Sequence, residues 1–430
     1  MKKLLFLCCA LLLLVACAQK EDNTKGKETK GDNKMNEQLI GKWEGNIETP
    51  NGAFPIIVDL QKDNGKLSVP AQGDHPFKSI TYIGDQVNVS INLNGSAVEI
   101  NGTLKDGQIE ATFQQNGGKF PLVLKPFKEQ PEQPVTYEPL KIPVQNGELT
   151  AALQKASNEP SPVALIIAGS GPTDKDGNSA LAGKNNSLKM IAEGLAKDGI
   201  ASVRYDKRGI GDNQSLLTKE EDITFDQYVD DAVQVINALL AEKEFSSVHI
   251  IGHSEGSLIG LLAAQKAHVE SFVSIAGTGR PIDNVLLEQL KVQLTPALLK
   301  ESTDALASLK KGELVKNVSP ELQSLFRSSI QPYMISWLKY NPASELAKVN
   351  SRVLILQGTT DLQVVATDAE ALKKGKPDAE LIYMEGMNHV LKNAPADRAK
   401  NFATYSDPTL PLHKELLPAI QQFIMNENRD

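Results

Sequence analysis

Residues 246–265 read SSVHIIGHSEGSLIGLLAAQ, and the reading of this stretch decides the fold of the chain. An apolar, β-rich run (Val248, Ile250, Ile251) leads into Gly252-His253-Ser254-Glu255-Gly256. A run with helical spacing (Leu258, Leu261, Leu262, Ala263) leads out of it. A serine at such a strand-to-helix corner is forced out of the sheet into a cleft, and the flanking glycines are needed where larger side chains would collide in the tight turn. The following helix points its first N–H groups at that corner, where negative charge can be stabilised. Alone, the pentapeptide fits an ordinary glycine-rich turn as well as a nucleophile, so the partners decide.

A serine nucleophile needs a base for its proton and a carboxylate to orient that base. Downstream, RVLILQG (352–358) reads as a buried strand followed by Thr359-Thr360-Asp361. This places Asp361 just past a strand's C-terminal end, where α/β sheets hold their sites. A helical stretch is predicted over 364–374 and a further strand over 379–384. His389 then falls in the next loop, Glu385-Gly386-Met387-Asn388-His389. Of the six histidines, only His389 lies on a loop after the last strand. By itself Asp361 reads equally well as a turn or helix-capping residue. By itself His389 reads as a surface histidine. Together, order and strand context assign Ser254, Asp361 and His389 to one catalytic constellation.

Four segments in order, AGSGPTDKDGN (168–178), VRYDKRGIGDN (203–213), GHSEG (252–256) and LILQGTTDLQV (354–364) with GMNHVLK (386–392), carry a resemblance. Over residues 135–430 the chain resembles the α/β-hydrolase superfamily, in particular bacterial esterases grouped with the serine aminopeptidase-like hydrolases. The resemblance implies a doubly wound, mainly parallel sheet with a helical cap, and no cofactor. It implies oxyanion donors at the backbone N–H of Ser170, after the third strand, and of Glu255, after the nucleophile. Many relatives begin that loop with His-Gly, whereas this chain has Ala168-Gly169; a backbone donor survives the change. Asp206 and Arg208 read as structural ion-pair and hydrogen-bonding residues.

The rest of the 430-residue chain divides by composition. Met1-Lys2-Lys3 and the short apolar run 4–15 fit a signal peptide, too short to span a bilayer. Leu14-Val15-Ala16-Cys17 resembles a bacterial lipoprotein signal, which implies cleavage after residue 16 and lipid on Cys17. Cys8 and Cys9 would leave with the leader, so no disulfide and no cysteine-based metal site is expected. Residues 17–38 are polar and read as a flexible tether. Residues 39–126 alternate in short runs separated by Asn64-Gly65, Asn94-Gly95, Asn101-Gly102 and Asp106-Gly107, all hairpin signals. They predict a small all-β domain, an antiparallel meander of about eight strands, closed or curled. Trp43 is expected in its core. A Pro-rich linker, 127–136, precedes the hydrolase domain, 137–430.

Within that domain the strand–helix alternation breaks over about 281–343, where helical periodicity alone predicts a cap between the sixth and seventh strands. Its apolar residues Leu286, Leu290, Leu294, Met334, Trp337 and Leu338 suit either an apolar substrate pocket or packing within the cap. A formal net charge of −8 with no basic patch argues against nucleic acid and against electrostatic docking to anionic membranes. The expectation is therefore a serine carboxylesterase acting on a small or medium acyl ester, held at a bacterial cell envelope by its lipid. An exopeptidase or acyltransferase of the same fold and, from another class, an inactive binding lipoprotein are the alternatives.

Overall fold

The computed structural model describes residues 35–49, 52–69, 73–93, 96–115, 118–128, 137–156, 160–179, 183–292 and 294–426. The leader, Cys17, nearly all of the tether and residues 129–136 of the linker lie outside them. The chain divides into two compact units at residue 133. Among the described residues no helix is long and apolar enough to cross a membrane.

The first unit is a closed barrel of eight strands in chain order. They are β1 (Gly41–Thr49), β2 (Gly52–Leu60), β3 (Gly65–Val69), β4 (Gly73–Ile83), β5 (Gln86–Leu93), β6 (Ser96–Lys105), β7 (Gln108–Gln115) and β8 (Gly118–Pro126). Each pairs antiparallel with the next, and β1 closes on β8 through Trp43 opposite Pro126 and Ile47 opposite Leu122. Period-two alternation puts Val87, Val89 and Ile91 of β5 inside with Ile109, Phe113, Leu122 and Leu124. Trp43 is in this core as expected, its indole N–H donating to Leu39 O at 2.8 Å.

The hairpin signals fared unequally. Asp106 and Gly107 both have positive φ (49° and 76°) and join β6 to β7, as a two-residue turn requires. Asn101-Gly102 is no turn: it lies within β6, paired with Thr112 and Ala111. There glycine answers to packing, because a Cβ on Gly102 would stand 2.5 Å from Ile109 Cγ2. Asn94-Gly95 lies outside the described residues, between the paired ends Leu93 and Ser96.

The second unit holds β9 (Glu138–Val144), β10 (Gly147–Gln154), β11 (Ser161–Ile167), β12 (Ala201–Tyr205), β13 (Phe245–His253), β14 (Ser271–Ile275), β15 (Arg352–Gly358) and β16 (Glu380–Met384). Their order in the sheet is β16-β15-β14-β13-β11-β12-β10-β9. β10 is antiparallel to both its neighbours; from β12 to β16 every pairing is parallel. This is the α/β-hydrolase topology.

The parallel strands are apolar on both faces because helices cover both. Val163, Leu165, Ile250, Phe272, Val353 and Ile355 face one core, with helices Phe225–Ala241 and Glu255–Ala264. Ala164, Ile166, Ile251, Val273, Leu354 and Leu356 face the other, with Ser187–Lys197 and Leu416–Met425.

Between β14 and β15 the chain is helical, from Ile282–Lys291 through Pro296–Lys310, Gln323–Phe326 and Gln331–Trp337 to Pro342–Leu346. Leu286, Leu290, Met334, Trp337 and Leu338 are buried in the same core as Phe225, on which the Trp337 ring stacks. Leu294 is half-buried against that core. These side chains serve packing.

Candidate active site

Ser254 stands between the end of β13 and helix Glu255–Ala264 with φ 54° and ψ −118°, a conformation that L-residues rarely adopt. The surroundings over-determine it. Ser254 N–H donates to Ile275 O at 2.9 Å, and Ser257 N–H donates to Ser254 O at 3.0 Å. The two glycines are there for space. A Cβ on Gly252 would lie 2.4 Å from Gly256 O, and one on Gly256 would lie 2.2 Å from Ile167 O. Helix Glu255–Ala264 is thereby pressed against the sheet, buried on all its faces.

The structure brings Ser254, His389 and Asp361 together. His389 Nε2 lies 3.1 Å from Ser254 Oγ, and His389 Nδ1 lies 2.8 Å from Asp361 Oδ2. The other Asp361 oxygen accepts from the N–H groups of Gln363 (2.8 Å) and Val364 (3.0 Å). That carboxylate is buried, its orientation fixed by its own loop. The Asp361 and His389 loops are locked together: Thr359 N–H donates to Met384 O and Thr360 N–H to Met387 O. A Cβ on Gly358 would come within 2.0 Å of Met387 O.

The His389 loop has further supports that sequence reasoning missed. His253 Nε2 lies 2.8 Å from His389 O. A carbonyl only accepts, so His253 carries its proton on Nε2. Burial, helped by the neighbouring His389 ring, pushes the His253 pKa down to about 3, which keeps it neutral. Ser187 Oγ donates to Val390 O at 2.6 Å, and Lys392 Nζ to Leu410 O at 2.6 Å. Burial lowers the Lys392 pKa to about 8. His413 Nε2 contacts Glu385 O, and the buried His249 sits between two serine hydroxyls on neighbouring strands. These histidines are structural.

The loop after β11 passes beside the serine: a Cβ on Gly169 would lie 3.3 Å from Ser254 Cβ. Neither Ser170 N–H nor Glu255 N–H has an acceptor among the described residues. Glu255 directly follows Ser254 in the chain, and Ser170 directly follows Gly169, which passes beside Ser254.

The segment after β12 supports this loop. Asp206 accepts from Lys175 N–H at 2.6 Å and from Asp212 N–H at 2.9 Å. Arg208 forms a buried bidentate pair with Asp231 at 2.6 and 2.9 Å. Both act as the sequence suggested. Lys207, between them, was not foreseen. It is buried, and its Nζ donates to Gly169 O at 2.5 Å and to Glu255 Oε1 at 2.8 Å. The Tyr333 hydroxyl, from the inserted helices, donates to the other Glu255 oxygen. A lysine in a loop directly after a fully buried strand was the one local signal for it.

Comparison with known proteins finds one family match and several similar proteins. The family described as Hydrolase_4, serine aminopeptidase S33, matches residues 182–323. Esterase EstD of Thermotoga maritima is 26% identical over 295 residues, which are 67% of each chain. Among solved structures, Est1E from Butyrivibrio proteoclasticus is similar at 17% identity and a TM-score of 0.44, over 67% of this chain and 98% of that one. A thermophilic esterase from Thermogutta terrifontis is similar at 15% identity and a TM-score of 0.42, over 68% and 100%. The chain has the α/β-hydrolase fold. The family match and the EstD relative support a hydrolase of the esterase type.

Proposed function

We propose that the protein is a serine carboxylesterase that hydrolyses small or medium acyl esters through an acyl-enzyme. The observation that carries this reading is the continuous hydrogen-bonded line from Ser254 Oγ through His389 to Asp361, at 3.1 and 2.8 Å. Ser254 Oγ attacks the ester carbonyl carbon while its proton passes to His389 Nε2. Asp361 holds Nδ1–H and stabilises the imidazolium. The carbonyl oxygen becomes an oxyanion that accepts from Ser170 N–H and Glu255 N–H. Collapse of this adduct expels the alcohol, which leaves with the Nε2 proton. Water then loses a proton to Nε2 and attacks the acyl carbon. The second adduct collapses to release the acid, and Ser254 Oγ takes the proton back. The chemistry calls for no cofactor.

An exopeptidase of this fold, which the matched family's description suggests, needs an acidic group facing the substrate's amine. Glu255 is the carboxylate beside the serine, and its two oxygens are engaged by Lys207 and Tyr333. This favours the ester. The test is purified full chain assayed on p-nitrophenyl acetate and butyrate against an aminoacyl p-nitroanilide. Ester turnover that falls by several orders of magnitude in Ser254→Ala, with the melting temperature kept, is the expected result. Preferential cleavage of the anilide would replace the esterase with the peptidase. Product diverted to a new ester by added alcohol would mark an acyltransferase, and failure of a fluorophosphonate to label Ser254 an inactive binding protein.

The sequence of residues 1–17 supports cleavage before Cys17 and attachment to a bacterial envelope membrane through lipid on that cysteine. Incorporation of an alkyne-tagged fatty acid into the wild type and not into Cys17→Ser is the expected outcome.

A further inference from the structure

We propose that Lys207 is the positioning residue of the oxyanion hole, one ammonium that sets both backbone donors. The proposal rests on the esterase reading above. Lys207 Nζ donates to Gly169 O at 2.5 Å. Gly169 C=O and Ser170 N–H are two ends of one planar peptide group. A cation on the oxygen fixes the orientation of that plane. It also draws electron density toward the oxygen through amide resonance, so the N–H at the other end becomes the stronger donor.

The same Nζ lies 2.8 Å from Glu255 Oε1, and Glu255 supplies the other donor N–H. The Tyr333 hydroxyl holds the second carboxylate oxygen, and the Tyr228 ring centroid lies 5.1 Å from the ammonium. A carboxylate one residue from the nucleophile would by itself repel a developing oxyanion. Lys207 cancels that charge where it stands and leaves the helix N-terminus electropositive toward the substrate oxygen.

The energetics favour a role beyond holding the fold together. Both side chains are buried, at 1% exposure each. Replacing a buried ion pair with apolar residues of similar volume is often neutral or stabilising. A chain that needed only to join the loop after β12 to helix Glu255–Ala264 could do so with two apolar side chains. Such a pair could not grip Gly169 O.

The test uses full-length Lys207→Met and the double variant Lys207→Met/Glu255→Met, with Tyr333→Phe, which leaves the Lys207–Gly169 contact in place, as the comparison. The double variant leaves no buried charge behind, so its folding does not depend on that of the single variant. Readouts are melting temperature, kcat and KM on p-nitrophenyl butyrate, and the affinity of an alkyl trifluoromethyl ketone, whose adduct with Ser254 carries the oxyanion.

We expect the double variant to melt near the wild type and keep KM within about threefold, while kcat and trifluoromethyl-ketone affinity both drop by roughly 10²-fold, the scale of losing one oxyanion donor. Tyr333→Phe should lose far less. A folded double variant with kcat and ketone affinity within about threefold of wild type overturns the role of Lys207. So does a loss confined to KM. A wild-type protein that fluorophosphonate fails to label overturns the esterase reading and this proposal with it; a labelled, active wild type beside an equally active double variant overturns this proposal alone.

Discussion

His253 Nε2 donates to the backbone oxygen of His389 at 2.8 Å, so the residue immediately before Ser254 holds the loop that carries the imidazole facing it. The two rings sit 4.9 Å apart. A second positive charge beside His389 would oppose imidazolium formation during turnover, and the low His253 pKa keeps that charge away.

This arrangement has a cost in acid. With a pKa near 3 folded and about 6.5 unfolded, His253 binds a proton in the unfolded chain first. Above pH 6.5 both states are neutral there and the group contributes nothing. Between pH 6.5 and 3, stability falls as pH falls, by about 1.4 kcal/mol per pH unit for one proton. His253→Gln keeps an N–H donor and removes the titration. Its stability, from urea unfolding at pH 7, 6, 5 and 4, should decline less steeply than that of the wild type.

Asp361→Asn should fold normally, because the amide oxygen can still accept from Gln363 N–H and Val364 N–H. The amide NH2 would then face His389 Nδ1 and favour the tautomer with its proton on Nε2. That nitrogen could no longer take the serine proton. The expected loss in kcat is on the order of 10³–10⁴-fold with KM little changed. Steady-state kinetics with p-nitrophenyl butyrate measure it.

Gly256→Ala would drive a methyl group to 2.2 Å from Ile167 O, which is backbone and has no side-chain freedom to yield. A loss of roughly 1–3 kcal/mol follows from overpacking of this kind. Activity should fall as well, because the shift moves Glu255 N–H. Gly171→Ala is the contrast: φ is +69° there, but open space surrounds the added Cβ. A thermal melt of each variant separates a steric loss from a conformational one.

Arg208→Met should destabilise the hydrolase unit by about 3–5 kcal/mol, since it strands the buried Asp231 carboxylate. Burial already raises the Asp231 pKa against the pull of the guanidinium. Arg208→Met/Asp231→Leu should recover most of that loss. Equal destabilisation in the single and double variants, by chemical denaturation, would count against a pair that matters mainly by mutual neutralisation.

Much of this molecule was legible from short-range patterns. Alternation at period two foretold an antiparallel eight-strand unit, and continuous apolar runs foretold the buried parallel strands. The corner at Gly252–Gly256 was readable because its glycines obey a local steric rule. Asp361 and His389 could be assigned because each follows its strand directly, and parallel strands deliver their C-terminal loops to one edge.

The failures share a cause. Asn101-Gly102 has the composition of a turn, yet barrel register placed it mid-strand, where a partner's side chain needed the room. The apolar residues of the inserted helices could have lined a pocket; whether Trp337 faces a ligand or Phe225 is decided by helix packing.

The sequence by itself therefore determined which residues stand at the ends of the strands and in what order, since turn sterics and hydrophobic period are properties of neighbours along the chain. Tertiary structure alone decided that Lys207 grips Gly169 and Glu255, and that His253 holds His389. Those contacts span 38, 48 and 136 positions, and no local preference encodes a meeting that the packing of the whole sheet must arrange.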